Sequence, residues 1–281
     1  MKLQRFQDAK QFYQRSQDYL LQYEAHNSLL FSITSLLLHH PDRYPFSPYM
    51  ATVEADDQVV AVAIRTPPRK LVLSKMVDLQ AAELIAQDVL QHQKSLPGVL
   101  SLVAEAQAFA SAWAALTQQP HKIALDLRVH QLQTVQPVAK AAGYLRQATA
   151  SDRDLLVQWN HDFMMEAFGT LGEDPEKATE RQIQQGLVYL WQDHVPVSMV
   201  CGRPTSPNGA TLGPVYTPPE HRKKGYATAC VAVLSQQLLD QGCHACFLFT
   251  DLANPTSNHI YQMIGYQPVA DWRDYSFEDV V

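Results

Sequence analysis

Residues 212–227 force three local geometries on the chain in quick succession. The apolar run 212–216 is extended, and Pro218-Pro219 stops it, because proline offers no N–H and keeps the residue before it out of the helical region. A basic turn, Arg222-Lys223-Lys224-Gly225, comes next. A helix then begins near Gly225, with apolar or small residues at 227, 230, 231, 234 and 238 as one buried stripe, and Gly242 is placed to end it. A strand, a glycine turn and a helix N-terminus in immediate succession build a cradle for an anionic group, because turn N–H groups and the helix dipole both favour negative charge there. Arg222, Lys223 and Lys224 add positive charge at its rim. The plain alternative is a basic loop that only lies in water. The strand–turn–helix context favours the cradle, and the lack of Gly-x-x-x-x-Gly-Lys-Ser/Thr and Gly-x-Gly-x-x-Gly argues against nucleoside triphosphates and dinucleotides.

The chain has 281 residues, enough for one large domain or two of ordinary size. Its formal charge of −6 argues against a nucleic-acid partner held by overall basicity. No apolar run approaches the ~20 residues of a membrane span, and residues 1–23 lack a signal-peptide core. The expectation is a soluble, cytoplasmic protein with no membrane partner. Cys243-His244-Ala245-Cys246 has zinc-like spacing but no second ligand pair. Cys201, Cys230, Cys243 and Cys246 therefore read as core thiols, and no metal is expected.

Both halves of the chain read alike in outline. In the second, 144–148 is strand-like, and Ser151 or Asp152 caps a helix through Leu155, Leu156 and Trp159. A loop at 168–177 precedes a helix ending near Gln185. Strands follow at 187–192, 197–201 and 212–216, with a turn-rich loop at 203–209. Residues 245–250 form a continuous apolar strand, as in a sheet covered on both faces. Asn254-Pro255 opens a last helix, Gly265 closes it, and 269–277 supplies the last strand or hairpin.

The first half offers helices at 7–24 and 28–39, a hairpin 49–53/59–64 turning at Asp56-Asp57, and a strand at 71–73. A helix at 78–91, a strand at 98–103, a helix at 105–117 and a strand at 122–129 complete it. His39, His40 and Arg43 flank a proline-rich loop, 41–48, that reads as solvated surface.

Arg222-Lys223-Lys224-Gly225-Tyr226-Ala227 resembles the Arg/Gln-x-x-Gly-x-Gly/Ala signature of the GNAT acetyltransferase superfamily, and 215–220 resembles that family's fourth strand and its exit. Further on, Asn254, Ser257, Ile260, Tyr261, Gly265 and Tyr266 are similar to its second signature, Asn-x-x-Ser-x-x-Ile/Leu-Tyr-x-x-x-Gly-Phe/Tyr. Two motifs in order make the likeness specific over residues 144–281, and it extends to the first half only in outline. The resemblance implies an α/β fold of tandem GNAT-like domains, each a mostly antiparallel mixed sheet flanked by helices. The expected division is a degenerate domain at 1–130, a linker at 131–143 and a catalytic domain at 144–281.

It further implies an acetyl-CoA-dependent N-acetyltransferase, with amides of Lys223 to Ala227 on the pyrophosphate and the edge of Val215, Tyr216 and Thr217 on the pantetheine amides. A backbone N–H there would polarise the thioester carbonyl; Pro214 has none, which leaves Val215 or Tyr216. Asn254, Ser257 and Asn258 belong to the same donor site, and Asn254 can equally serve as a helix cap. Tyr261 matches the general acid for the departing thiolate, or else is an ordinary core tyrosine beside Ile260, Met263 and Ile264.

The acceptor is a small-molecule or peptide amine that must lose a proton to attack, since alkyl amines are charged near pH 7. No acid lies in 212–217, so Glu166, Glu173, Asp174, Asp251 and Glu220 all stand as base candidates, Glu220 as the more solvated. These acids, with Glu176, favour a cationic acceptor. The missing strand acid leaves a second reading open, an acyl-CoA-binding sensor or scaffold without catalysis. The first half has Ser74-Lys75-Met76-Val77-Asp78 where a cradle would lie, and so should not bind CoA. Either a monomer or a homodimer is compatible with these features.

Overall fold

The computed structural model describes every residue except Asp42, Arg43, Pro45, Lys94, Gly172 and the last three, 279–281. Arg43 of the proline-rich loop and Gly172 of the 168–177 loop thus lie outside the described residues. The chain divides into two compact units. The first holds Met1–His130, Phe249–Asn254 and the chain from Pro268 on; the second holds Gln131–Leu248 and Pro255–Gln267. Among the described residues no helix is long and apolar enough to cross a membrane.

In the first unit, β1 (Lys2–Arg5), β2 (Tyr49–Ala55), β3 (Gln58–Arg65) and β4 (Leu71–Leu73) pair antiparallel in that order. Next comes β5 (Gly98–Leu102), parallel to β4, then β12 (Gln267–Phe277) and β6 (His121–Leu132). The β2–β3 turn places Asp56 and Asp57 at φ 50° and 59°, the mirror-image turn that suits strand twist. Helices α1 (Ala9–Leu21) and α2 (Ser28–His39) bury Phe12, Leu20, Leu30 and Phe31 against Met50, Val62, Ile64 and Trp272. The opposite face takes α3 (Ala81–His92) and α4 (Val103–Thr117), with Ile85, Phe109 and Trp113 against Ala61, Leu71 and Tyr275. With both faces covered, β3 is apolar without alternation.

The last strand is held in this unit by ladder and charge together. Trp272 to Ser276 stand opposite Leu102 to Gly98. Arg128 grips Asp271 through two bonds of 2.6 and 3.0 Å, and Arg273 reaches Asp126 at 2.7 Å. Strand β1 has no counterpart in the sequence reading, because Lys-Leu-Gln-Arg carries no apolar alternation to reveal it.

In the second unit the order is β7 (Tyr144–Gln147), β8 (Val188–Asp193), β9 (Val195–Pro204), β10 (Gly209–Tyr216) and β11 (Ala245–Asp251), the last as far as Leu248. All these pairs are antiparallel except β10–β11. One face packs α7 (Tyr226–Asp240) and α8 (Pro255–Ile264); the other packs α5 (Arg153–Phe168), with Ile183 of α6 (Pro175–Gln184). Gly202 permits the close approach of α7, since a Cβ there would lie 2.8 Å from a Leu234 methyl. Ahead of α5, Arg146 holds Asp152 through bonds of 2.8 and 2.7 Å, which lowers that carboxyl to about 2. Asp152 in turn accepts from the Thr149 N–H at 2.8 Å, closing a capping box. Cys201, Cys230 and Cys246 are buried free thiols, and burial raises all three, Cys201 and Cys246 to about 12. They pack as small apolar side chains.

His130 is fully buried in the first unit, and neither ring nitrogen meets a hydrogen-bond partner. Burial therefore lowers its pKa and holds the ring neutral. The unfolded chain takes up that proton near pH ~6.5, the folded chain only at lower pH, so this group's share of stability is present above ~6.5 and lost as pH falls. His130→Leu should flatten the decline of melting temperature between about pH 7.5 and 5.5 relative to the wild type. Superimposable pH profiles for the two proteins would exclude this role.

Candidate functional site

The site is built on β10, which loses one neighbour before it loses the other. Its parallel ladder with β11 runs from Gly209↔Ala245 to Thr211↔Phe247 and stops. Its antiparallel ladder with β9 continues to Val215↔Val200 and Tyr216↔Met199, with a register shift between Leu212 and Val215. Gly213-Pro214 occupies that irregular step, where proline supplies no ladder donor. Beyond Thr211 the β11-facing edge of β10 is an open row of backbone groups, which alternate between β9 and that edge. Val215 and Tyr216 stand on this stretch. The Tyr216 carbonyl accepts from Ser198 Oγ at 3.2 Å, and Thr217 Oγ1 lies 2.8 Å from the same hydroxyl.

A single 3₁₀ turn, Pro219–His221, follows, and then the glycine turn. Lys223 and Gly225 both have positive φ, 61° and 80°. A Cβ on Gly225 would meet only Ala141, at 3.9 Å, so conformation rather than space calls for glycine there. The N-cap Gly225 gives α7 no side-chain cap. Among the described residues no acceptor meets the N–H groups of Lys223 through Thr228; the next one, Ala229, bonds Gly225 O at 3.0 Å. Positive φ at alternate residues beside a helix N-terminus is an arrangement suited to phosphate.

The rim cations are not equally available. Arg222 Nη2 bonds Glu166 on α5 at 2.6 Å, and its Nε bonds the Thr217 carbonyl at 2.8 Å. Lys224 Nζ reaches the Glu220 carbonyl at 3.1 Å. The Tyr226 hydroxyl, in the first turn of α7, donates to Asp193 at 2.5 Å, which raises the phenol's pKa. Ala227 is half-buried one residue further along α7.

Tyr261 lies on α8 with its ring buried against that of Tyr266, centroids 5.9 Å apart. No group among the described residues hydrogen-bonds its hydroxyl, and burial raises its pKa, with Cys230 a smaller influence in the same direction. Ser257 and Asn258 sit in the first turns of the same helix. Asn254 belongs to the first unit's short segment, where its N–H donates to Asp251 O at 3.1 Å.

Most base candidates are occupied. Glu166 holds Arg222, Glu173 holds Arg181 at 2.9 Å, and Asp174 caps α6 by accepting from Glu176 N at 3.0 Å. Asp251 accepts from Ala253 N at 2.8 Å. Glu176 bonds Arg153 at 3.0 Å. Sequence reasoning did not identify Asp162, which together with Glu166 and Glu220 raises the Tyr216 phenol, after burial. Nor did it identify the Tyr226–Asp193 pair. Both are contacts between elements distant in sequence, and no local pattern marks them. Among the described residues no group of three or more His, Cys, Asp or Glu side chains gathers as a metal site would require.

Residues 153–266 match the model of the Acetyltransferase (GNAT) family. A GNAT-family acetyltransferase from Colwellia psychrerythraea is 13% identical, with TM-score 0.56 and full coverage of both chains. A GCN5-related N-acetyltransferase from Sphaerobacter thermophilus is 15% identical, with TM-score 0.58, over 87% of this chain and 85% of its own. A tandem GNAT protein from the clavulanic acid biosynthesis pathway is 10% identical, with TM-score 0.60, over 100% and 99%. At these identities the structures share the fold, a tandem of mixed α/β units. No curated protein sequence matches the chain.

Gly225→Ala places a Cβ on a left-handed residue and should cost about 1 kcal/mol, read as a melting temperature lower by a few degrees. Lys223→Gly, at the other positive-φ position, should not destabilise. A Gly225→Ala protein as stable as the wild type would mean that the turn does not need its left-handed geometry.

Proposed function

We propose, from the premise that residues 153–266 are a GNAT acetyltransferase domain whose family chemistry is acyl transfer, that the second unit is an N-acetyltransferase using acetyl-CoA. The observation that carries this is the pairing of an open β10 edge with a turn whose N–H groups, Lys223 to Thr228, have no protein acceptor. Lys223, Lys224 and Gly225 are exposed and Tyr226 to Thr228 half-buried, so this row of helix-start donors can meet an anionic ligand in place of water. The turn suits a pyrophosphate, and the strand edge suits the two amides of a pantetheine arm, which can add to it as a short extra strand.

In this reading the acceptor amine, deprotonated, attacks the thioester carbonyl. The C–N bond forms, the carbonyl oxygen gains charge, and the C–S bond then breaks. The N–H of Val215 or Tyr216 stabilises the oxyanion, since Pro214 has none. Tyr261 gives its proton to the departing thiolate. A phenol kept protonated by burial, with no partner inside the protein, is a donor waiting for one. Ser257 and Asn258 of the same unit contribute to holding the donor. The amine's proton goes to a base through water; Glu166, Glu173 and Asp174 already hold cations or N–H groups, whereas no cation or N–H among the described residues meets the Glu220 carboxylate.

The first unit carries the same elements but an opposite accounting of backbone groups. After β4, Ser74 N donates to Val62 O at 2.9 Å, Lys75 N to Asn27 at 3.2 Å and Val77 N to Val60 O at 3.0 Å. Met76 N donates to Glu105 at 3.1 Å, and Ser101 Oγ bonds Leu73 O at 2.9 Å. The N–H groups of Ser74 through Val77 are thus taken by the unit's own side chains and neighbouring strand. This supports one donor site per chain.

Titration calorimetry of the full chain should therefore give saturable acetyl-CoA binding at one per chain, lost in Gly225→Trp. Two sites per chain would refute the assignment of the first unit, and no binding would refute the whole reading. With an amine found by screening, Tyr261→Phe should lower kcat by about 100-fold while CoA affinity stays near normal. Binding without turnover of any amine would instead favour a sensor, and an unchanged rate would remove Tyr261 from the reaction.

A further inference from the structure

We propose that the segment following β6 completes the phosphate-binding surface of the second unit, with Lys140 contacting a phosphate of the thioester donor. This rests on the donor site proposed above and extends it to a residue outside both motifs.

The segment is not a loose tether. Gln136 N donates to Ile264 O at 2.8 Å at the end of α8, and Trp191 Nε1 donates to Ala142 O at 2.7 Å. Between these fixed points Val138 and Ala141 pack against the apolar cluster of α7 and α8. Ala141 Cβ comes within 3.9 Å of where a Gly225 Cβ would stand, so the backbone at 140–141 runs alongside the turn's left-handed residue. Lys140 is exposed and holds no ion pair among the described residues. Its Cα is one peptide unit from Ala141, and a flexible four-carbon stem is long enough to bring its ammonium to a phosphate held at the turn.

Charge supply at the cradle makes this contact matter. Of the three motif cations, Arg222 is committed to Glu166 and the Thr217 carbonyl, and Lys224 to the Glu220 carbonyl. Lys223 and Lys140 remain as cations without an anionic partner among the described residues beside the unsatisfied N–H groups. A CoA thioester brings two phosphate-bearing groups, the pyrophosphate and the 3′-phosphate. One row of N–H donors can cradle one of them, and the other needs mobile cations.

The test titrates CoA and dephospho-CoA into the full-length wild type, Lys140→Ala and Lys140→Arg, at two salt concentrations. Lys140→Ala should weaken CoA by about fivefold and reduce the salt dependence, with Lys140→Arg close to wild type. If CoA alone is weakened, the contact is to the 3′-phosphate; if both ligands weaken alike, it is to the pyrophosphate. Either result supports the proposal. Wild-type affinity and salt dependence in Lys140→Ala, for both ligands, overturns it while leaving the donor site intact. A wild type that binds neither ligand overturns the donor reading itself. Because Lys140 is exposed, a melting curve matching wild type is expected for both variants and separates lost contact from lost fold.

Discussion

The parallel ladder between β10 and β11 ends at Thr211↔Phe247, while β10 stays paired to β9 as far as Tyr216, and the site depends on that mismatch. A strand that lost both neighbours at once would fray into a loop. A strand that kept both would leave nothing for a ligand to pair with. Held on one side only, β10 presents an extended edge with the spacing of a sheet. The irregular step at Gly213-Pro214 sits where the two ladders part company. The removal of a proline N–H there costs no hydrogen bond on the open side, and in the proposed reaction it leaves the oxyanion to the two residues that follow.

The two units show how the same arrangement of elements can be committed to a ligand or withdrawn from one. In the first, Glu105 from α4 supplies an acceptor to the Met76 N–H, and Ser101 closes the β4–β5 edge on Leu73 O. In the second, the N–H groups of Lys223 through Thr228 meet no acceptor among the described residues, and two residues of the turn have positive φ. The difference lies less in apolar packing, which both units have, than in whether backbone polar groups are satisfied within the chain. Exposed helix-start donors are met by water at little cost and can exchange that water for an anion.

What the sequence made legible was local. Residues 222–227 and 254–266 announce the turn, the helices and the candidate acid, because phosphate geometry, helix capping and a positioned phenol each need particular residue types at short spacing. The extents of α2 and β4 follow directly from apolar runs bounded by breakers. What was not legible is pairing across distance. The run at 269–277 reads as a strand, but nothing in its pattern says that Trp272 will lie opposite Leu102. Likewise Glu166 reads as one more helix-flanking acid until α5 brings it to Arg222. Charge partners separated by tens of residues leave no periodic trace in either segment.

That last contact reaches beyond charge balance. Helix α5 lays Trp159 near the Tyr216 ring, 6.2 Å between centroids, and Phe163 along the same apolar cluster. About two turns on from Trp159, Glu166 meets Arg222, which also bonds the Thr217 carbonyl. One helix is therefore registered to β10 by an aromatic contact and to the glycine turn by an ion pair. A shift of α5 along its axis would break the ion pair before it unpacked the ring, because a charged hydrogen bond tolerates far less displacement than apolar contact does. The ion pair is partly exposed on both sides and screened by water, so it contributes at most about 1 kcal/mol to that registration. The apolar contact of Trp159 with Tyr216 carries more of it, and the second Arg222 bond, to the Thr217 carbonyl, ties the turn to the exit of β10 rather than to α5.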